Sequence, residues 1–165
     1  MSSTWPPYLI KRLRSDLEQL AKAVESRPKN RTDDEQIWLT RFLLVRTCGY
    51  LEQVTYETAR GYVQEKSGGL VRTFAMSWLD RSRNPTPDNL CELVGRFDSH
   101  LRDDLFSMFE ADDQRLRREL ALLVDRRNKI AHGLNEGITV SKAIMLKTDA
   151  ETVSDWFIKN LRPSR

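Results

Sequence analysis

Two cysteines and two histidines in 165 residues give metal chemistry very little to work with. Cys48 and Cys91 are isolated, His100 and His132 lie far apart, and no zinc-ligand spacing of any type is present. Each cysteine sits in an apolar helical pattern, so both read as small core residues in a reducing cytoplasm rather than as a disulfide. His100, beside Asp103 and Asp104, reads as a surface residue. Glycine-rich chemistry is missing too. Ser67-Gly68-Gly69 has no Gly-Lys-Ser/Thr after it, and the chain has no dinucleotide-binding glycine pattern, no nucleophile elbow and no HExxH. No apolar run approaches the roughly 18 residues of a membrane span. Met1-Ser2-Ser3-Thr4-Trp5 lacks a basic start followed by an apolar stretch, which argues against secretion and for a cytoplasmic protein. There is no β pattern, internal repeat or linker.

A hydrophobic fraction of 39% and a charged fraction of 31% describe a globular chain, read as a single domain over residues 1–165. Net charge is +3, with an isoelectric point near 9.0. Arginine far outnumbers lysine, and a guanidinium fork suits phosphate because it pairs two oxygens at once.

Helical periodicity runs through the chain. Leu9, Leu13, Leu17, Leu20, Ala21 and Val24 mark an amphipathic helix from Tyr8 to about Ser26, entered through Trp5-Pro6-Pro7. Thr32 and Glu35 form a capping box, and the helix they open runs to about Lys66. Its apolar middle, Phe42 to Leu51, predicts the most buried element of a bundle. Gly49 there costs roughly 1 kcal/mol of helix propensity, which predicts close approach by another helix. Arg46 and Glu52 are predicted to pair at the edge of this core. A short helix around Val71–Asp80 leads to an exposed turn containing Arg81 and Arg83. Thr86 or Asn84 caps the next helix, roughly Pro87–Phe97. Leu101, Leu105, Phe106 and Phe109 form an apolar segment before Asp112-Asp113. The acidic pairs sit at predicted helix starts, where capping explains them. After a loop from Leu134 to Val140, Ser141 begins a short helix and Thr148-Asp149 caps the last. The predicted architecture is an all-α bundle of about five to seven helices.

The stretch from Leu122 to Gly133 organises the rest. Leu116, Leu120, Leu123, Val124, Ile130 and Ala131 recur at helical spacing, predicting a helix over about 112–132 closed by Gly133 as a left-handed C-terminal residue. Arg127 falls on or beside this apolar stripe, where a guanidinium is expensive unless an anion meets it. His132 lies in the final turn, where unpaired carbonyls favour a protonated imidazole. Asn128 is one helical turn before it, within hydrogen-bonding reach. Arg127 and His132 are about 140° apart around an ideal helix and roughly 7.5 Å along it, so they can bracket a phosphate without stacking. An ordinary surface histidine and a snorkelling arginine are the competing reading.

Leu123-Val124-Asp125-Arg126-Arg127-Asn128-Lys129-Ile130-Ala131-His132-Gly133 resembles the signature of the HEPN superfamily, in which an arginine, followed by a polar residue, precedes a histidine by four to six residues. Phe42–Glu52 is similar to the long central helix of the branch related to ribonuclease L-type HEPN domains. One subgroup, toxins paired with a nucleotidyltransferase antitoxin, often carries a tyrosine two residues after the histidine; here that place is Leu134.

The resemblance implies a HEPN-like helical bundle acting as a homodimeric, metal-independent endoribonuclease without cofactor, serving as a toxin or antiviral-defence effector. Arg127, Asn128 and His132 would be catalytic. Arg126, Lys129 and Arg83 would hold the RNA backbone, with Arg46 and Glu52 behind them. An antitoxin or neighbouring defence protein would be a further partner. Cleavage by 2′-hydroxyl attack needs a base, an acid and a cation; one chain offers one suitable histidine, and a two-fold dimer supplies two. A non-catalytic RNA-binding or dimerising adaptor is the alternative, and a helical scaffold with Arg127 in a simple ion pair is a third.

Overall fold

A computed structural model describes residues 5–79, 83–134 and 137–163. Asp80, Arg81, Ser82, Asn135 and Glu136, read above as a helix end, a turn and part of a loop, lie outside the described residues. Those described form six helices and no strand: α1 (Tyr8–Glu25), α2 (Asp33–Lys66), α3 (Gly69–Leu79), α4 (Pro87–Gly95), α5 (Ser99–Ala131) and α6 (Val140–Asn160). No helix among them is long and apolar enough to cross a membrane.

The long helix α2 is the axis of the bundle, packed against α1, α3, α5 and α6, while α4 packs on α5. Its 34 residues span about 50 Å at 1.5 Å per residue. The capping box opens it as expected: Thr32 N–H donates to Glu35 Oε2 at 2.7 Å, and Glu35 N–H donates to Thr32 Oγ1 at 3.2 Å. One side of α2 sends Leu44, Cys48 and Leu51 into a core shared with Leu90 of α4, Phe109 and Leu123 of α5 and Phe157 of α6. The other side sends Leu43, Tyr50 and Val54 against Ile10, Leu17 and Val24 of α1. Buried Thr40, Thr47, Thr55 and Thr58 donate their hydroxyls to carbonyls one turn back, so no polar group is stranded by burying them. Phe42, at the start of the segment expected to be most buried, is 52% exposed.

Four expectations are corrected. No atom outside the local helix lies within 4 Å of a β-carbon built on Gly49, so no helix approaches closely there. The close approach is at Gly61, where a β-carbon would meet Trp5 Cζ3 at 3.0 Å; Trp5 is pinned by its indole N–H donating to the Ile158 carbonyl at 2.7 Å. Secondly, Arg46 does not pair with Glu52: Arg46 is exposed, and Glu52 turns to Arg127 instead. Thirdly, Asp112-Asp113 do not start the motif helix. α5 is broken at 111–114, where Ala111 is extended and Asp112, Asp113 and Gln114 take positive φ of 50°, 53° and 60°. Such a conformation costs roughly 1–2 kcal/mol per ordinary residue, and aspartate tolerates it better than most. Arg115, the first residue after the break, clamps it to α6 through two bonds of 3.0 Å to the Asp149 carboxylate. Lastly, the final two expected helices are one. Thr139 caps α6, accepting from Lys142 N–H at 3.2 Å; Thr148 bonds the Ile144 carbonyl, and buried Asp149 is held by Arg115 rather than capping.

Elsewhere the local signals hold. Thr86, not Asn84, caps α4 through Asn89 N–H at 3.3 Å, and α4 stops at Gly95, short of Phe97. His100 is exposed as expected.

Candidate functional site

The second half of α5 carries Leu116, Leu120, Leu123 and Val124 into the core, and this fixes the rotation of everything C-terminal to them. The helix ends where expected. Gly133 adopts φ 74°, its N–H donates to the Ile130 carbonyl at 3.0 Å, and Leu134 N–H donates to the Lys129 carbonyl at 2.9 Å. This paired closure satisfies carbonyls that would otherwise be orphaned, and it needs a residue free of the left-handed penalty. His132 is the C-cap residue and is exposed. Among the described residues its side chain makes no hydrogen bond or ion pair. Its backbone N–H donates to the Asn128 carbonyl at 3.0 Å, and that is the bond between the two; the expected Asn128–His132 side-chain contact is not made.

Arg127 meets its anion. From its half-buried position Nη2 donates to Glu52 Oε1 on α2 and to Asn84 Oδ1, the latter at 2.8 Å. Burial works against its charge, but the neighbouring Cys48 sulfur and the field of Glu52 more than offset this, so the guanidinium is held above its ordinary value. Burial pushes the Cys48 thiol up despite Arg127 beside it, leaving the thiol neutral near pH 7 and Glu52 as the counter-charge. Cys48 and Glu52 are one helical turn apart on α2, so one face of α2 presents both to Arg127.

The remaining predicted residues are scattered around this point. Lys129 pairs with Asp125 at 3.2 Å, Arg126 is half-buried, and Arg46 is exposed beside Gly49. Arg83 and Arg96 share one carboxylate, each 2.6 Å from an oxygen of Glu92. Hydrogen bonding to Arg96 is the main cause holding the Glu92 carboxyl below the usual range, with Arg83 adding to it. Arg127 and His132 are not brought together within the chain. Sequence reasoning missed Asn84 and Cys48 as contacts of Arg127. The helical spacing of Cys48 and Glu52 was a usable signal for the second; nothing local signalled the first.

A cavity of about 300 Å³ lies next to this cluster, among α2, α3, α4 and the segment leading into α4. Glu52 and Asn84, the two oxygen acceptors of Arg127, line it, together with Gln53, Tyr56, Trp78, Arg83, Asn89 and Arg96. The Arg96 guanidinium lies 4.6 Å from the centre of the Trp78 ring. Among the described residues no group of three or more His, Cys, Asp or Glu side chains is placed to hold a metal ion.

Comparison with curated proteins and with solved structures gives no match. The model of one family, RiboL-PSP-HEPN, matches residues 9–159, from the start of α1 almost to the end of α6. With nearly the whole helical bundle inside that match, the chain belongs to the RiboL-PSP-HEPN family.

Proposed function

We propose that the protein is a metal-independent endoribonuclease whose active site is completed by a second copy of the chain. Membership of a HEPN family supports an RNA-related role. The observation that carries the finer reading is the arrangement on α5: a guanidinium tethered at Glu52 and Asn84, and a solvent-facing His132 at the helix end. One chain therefore offers a tethered cation and one exposed proton-transfer group, and a second copy would supply the second histidine that acid–base cleavage needs.

In the proposed reaction His132 of one copy removes the ribose 2′-hydroxyl proton. The 2′-oxygen attacks phosphorus, and the bond from phosphorus to the 5′-oxygen breaks. That oxygen takes a proton from His132 of the second copy, leaving a 2′,3′-cyclic phosphate and a 5′-hydroxyl. Arg127 stabilises the charge on the five-coordinate phosphorane, Asn128 orients His132 or binds phosphate, and Arg126, Lys129 and Arg83 hold the backbone. Glu52 stands behind them and fixes Arg127, while the exposed Arg46 takes no part in that support. A toxin or defence effector, controlled by an antitoxin or neighbouring protein, is the proposed setting.

The Arg127–Glu52 pair also favours a second reading, in which Arg127 is structural and the protein is an RNA-binding or dimerising adaptor. Mixing inactive Arg127→Ala and His132→Ala proteins under verified subunit exchange separates the two. Because the reaction above draws on His132 of both copies, it leaves this mixture and wild type paired with His132→Ala both inactive, whereas partial cleavage from the mixture means that a shared site works with one His132. Self-contained sites leave the mixture dead while wild type paired with His132→Ala stays active. An adaptor shows no cleavage with wild type at all.

A further inference from the structure

We propose that the cavity beside Arg127 is a nucleobase subsite: it takes one unpaired base of the RNA strand next to the phosphate held at Arg127, and so sets a base preference for cleavage. This rests on the endoribonuclease reading for its ligand, and on the geometry for its place.

Four observations converge. The cavity, about 300 Å³, lies at the small end of the ligand-pocket range of roughly 300–1,000 Å³, enough for a base and part of its ribose and too small for a duplex. Its wall includes the rings of Trp78 and Tyr56, and Trp78 is 44% exposed. Arg96 over the indole adds a second flat surface on which bases stack. Gln53, Asn84 and Asn89 line the same space; with Asn84 Oδ1 taken by Arg127 and Asn89 Nδ2 by the Asn84 carbonyl, the Gln53 amide, Asn84 Nδ2 and Asn89 Oδ1 remain to meet a base edge as donors and acceptors. Finally, Glu52 and Asn84 line the cavity and bond Arg127 Nη2 directly, so its wall is one hydrogen bond from the proposed phosphate-binding cation. Arg83 and Arg96 put two guanidiniums against the single carboxylate of Glu92, leaving net positive charge beside the lining for the neighbouring phosphate.

A single strand fits this better than a helix. A base inside the cavity must leave its stack, which unpaired nucleotides do at least cost. The pocket thus selects loops and unpaired ends over paired RNA.

The test uses full-length wild type, Gln53→Ala, Trp78→Leu and Trp78→Phe, all checked by far-UV circular dichroism. Trp78 lies outside the core, and Phe keeps a ring. Affinity is measured by fluorescence anisotropy on 2′-O-methyl octamers of each base, which bind without being cut, and cleavage on the matching octaribonucleotides. Expected are a base preference in wild type at a fixed offset from the cut, its loss with roughly tenfold weaker binding in Trp78→Leu, and its retention in Trp78→Phe. Gln53→Ala should alter which base is preferred. If wild type cuts and the Trp78→Leu and Gln53→Ala preferences match it, the subsite is refuted and the nuclease stands. If wild type binds 2′-O-methyl octamers with a preference that Trp78→Leu loses, but cuts nothing, the subsite stands and the nuclease reading fails. Binding of a nucleoside monophosphate that leaves octamer binding unchanged would overturn the assignment to an RNA strand, as would failure to bind octamers at all.

Discussion

Replacing Glu52 with glutamine removes the charge that holds Arg127 while keeping the shape. Both side chains of the pair are about a quarter exposed, 23% for Arg127 and 27% for Glu52, so solvent screens the interaction only in part. A hydrogen bond to a charged group contributes about 1.5–3 kcal/mol and a neutral one about 0.5–1.5 kcal/mol. The substituted amide oxygen still accepts from Arg127, and Asn84 Oδ1 remains 2.8 Å away, so the net loss is about 1 kcal/mol. In a domain of this size that lowers Tm by roughly 2–4 °C. Activity should divide in a telling way. The carboxylate repels a phosphate bound at Arg127, so binding of non-cleavable RNA should tighten by roughly fivefold, the worth of about 1 kcal/mol at this range and screening. A less firmly held guanidinium should lower kcat roughly ten- to hundredfold, the usual scale for misplacing a catalytic group by about an ångström. Thermal melts, anisotropy and single-turnover cleavage measure the three. Wild-type kcat in a folded Glu52→Gln protein would refute the positioning role, and an unchanged Tm would refute the pair's contribution to stability.

Gly49→Ala should stabilise the protein by about 0.5–1 kcal/mol, because an α-helical methyl there meets nothing within 4 Å; a lower midpoint in urea unfolding would contradict the open surroundings. Thr139→Ala should cost about 1 kcal/mol through loss of the α6 cap, whereas Thr148→Ala should sit close to wild type in the same assay; the reverse order would put the helix start at 148. Bonds from the Thr32 backbone N–H and hydroxyl hold the Glu35 carboxyl below its ordinary 4.5, so this contribution is complete above about pH 4.5 and is lost as pH falls through the lowered value. Tm against pH should accordingly be flatter below 4.5 in Glu35→Gln than in wild type.

Features written in neighbouring residues were legible in the sequence. The capping box at Thr32 and Glu35, the run of α2 to Lys66 and the turn at Gly133 each depend on residues within five positions of one another. What depended on distant partners was not. Thr148-Asp149 has the look of a helix start, and only Arg115, 34 residues away, explains a buried carboxylate in mid-helix. Asp112-Asp113 likewise look like N-terminal capping, and the left-handed break becomes intelligible only once Arg115 and Asp149 are seen to close it. The stripe on α5 required an anion for Arg127 and could not say which. Glu52 lies six residues from Arg46, which makes that pairing the local expectation, whereas its partner Arg127 is 75 residues on. Asn84, 43 residues from Arg127, completes the set from a turn that carries no periodic signal.

The most direct measurement is cleavage of single-stranded RNA by purified protein in EDTA, with the product ends identified by mass spectrometry, for wild type and His132→Ala side by side. Endoribonuclease action through Arg127 and His132 requires undiminished wild-type cleavage in chelator, 2′,3′-cyclic phosphate and 5′-hydroxyl ends, and no product from a folded His132→Ala protein. Cleavage that stops in EDTA and returns with magnesium, or that persists in His132→Ala, would contradict it.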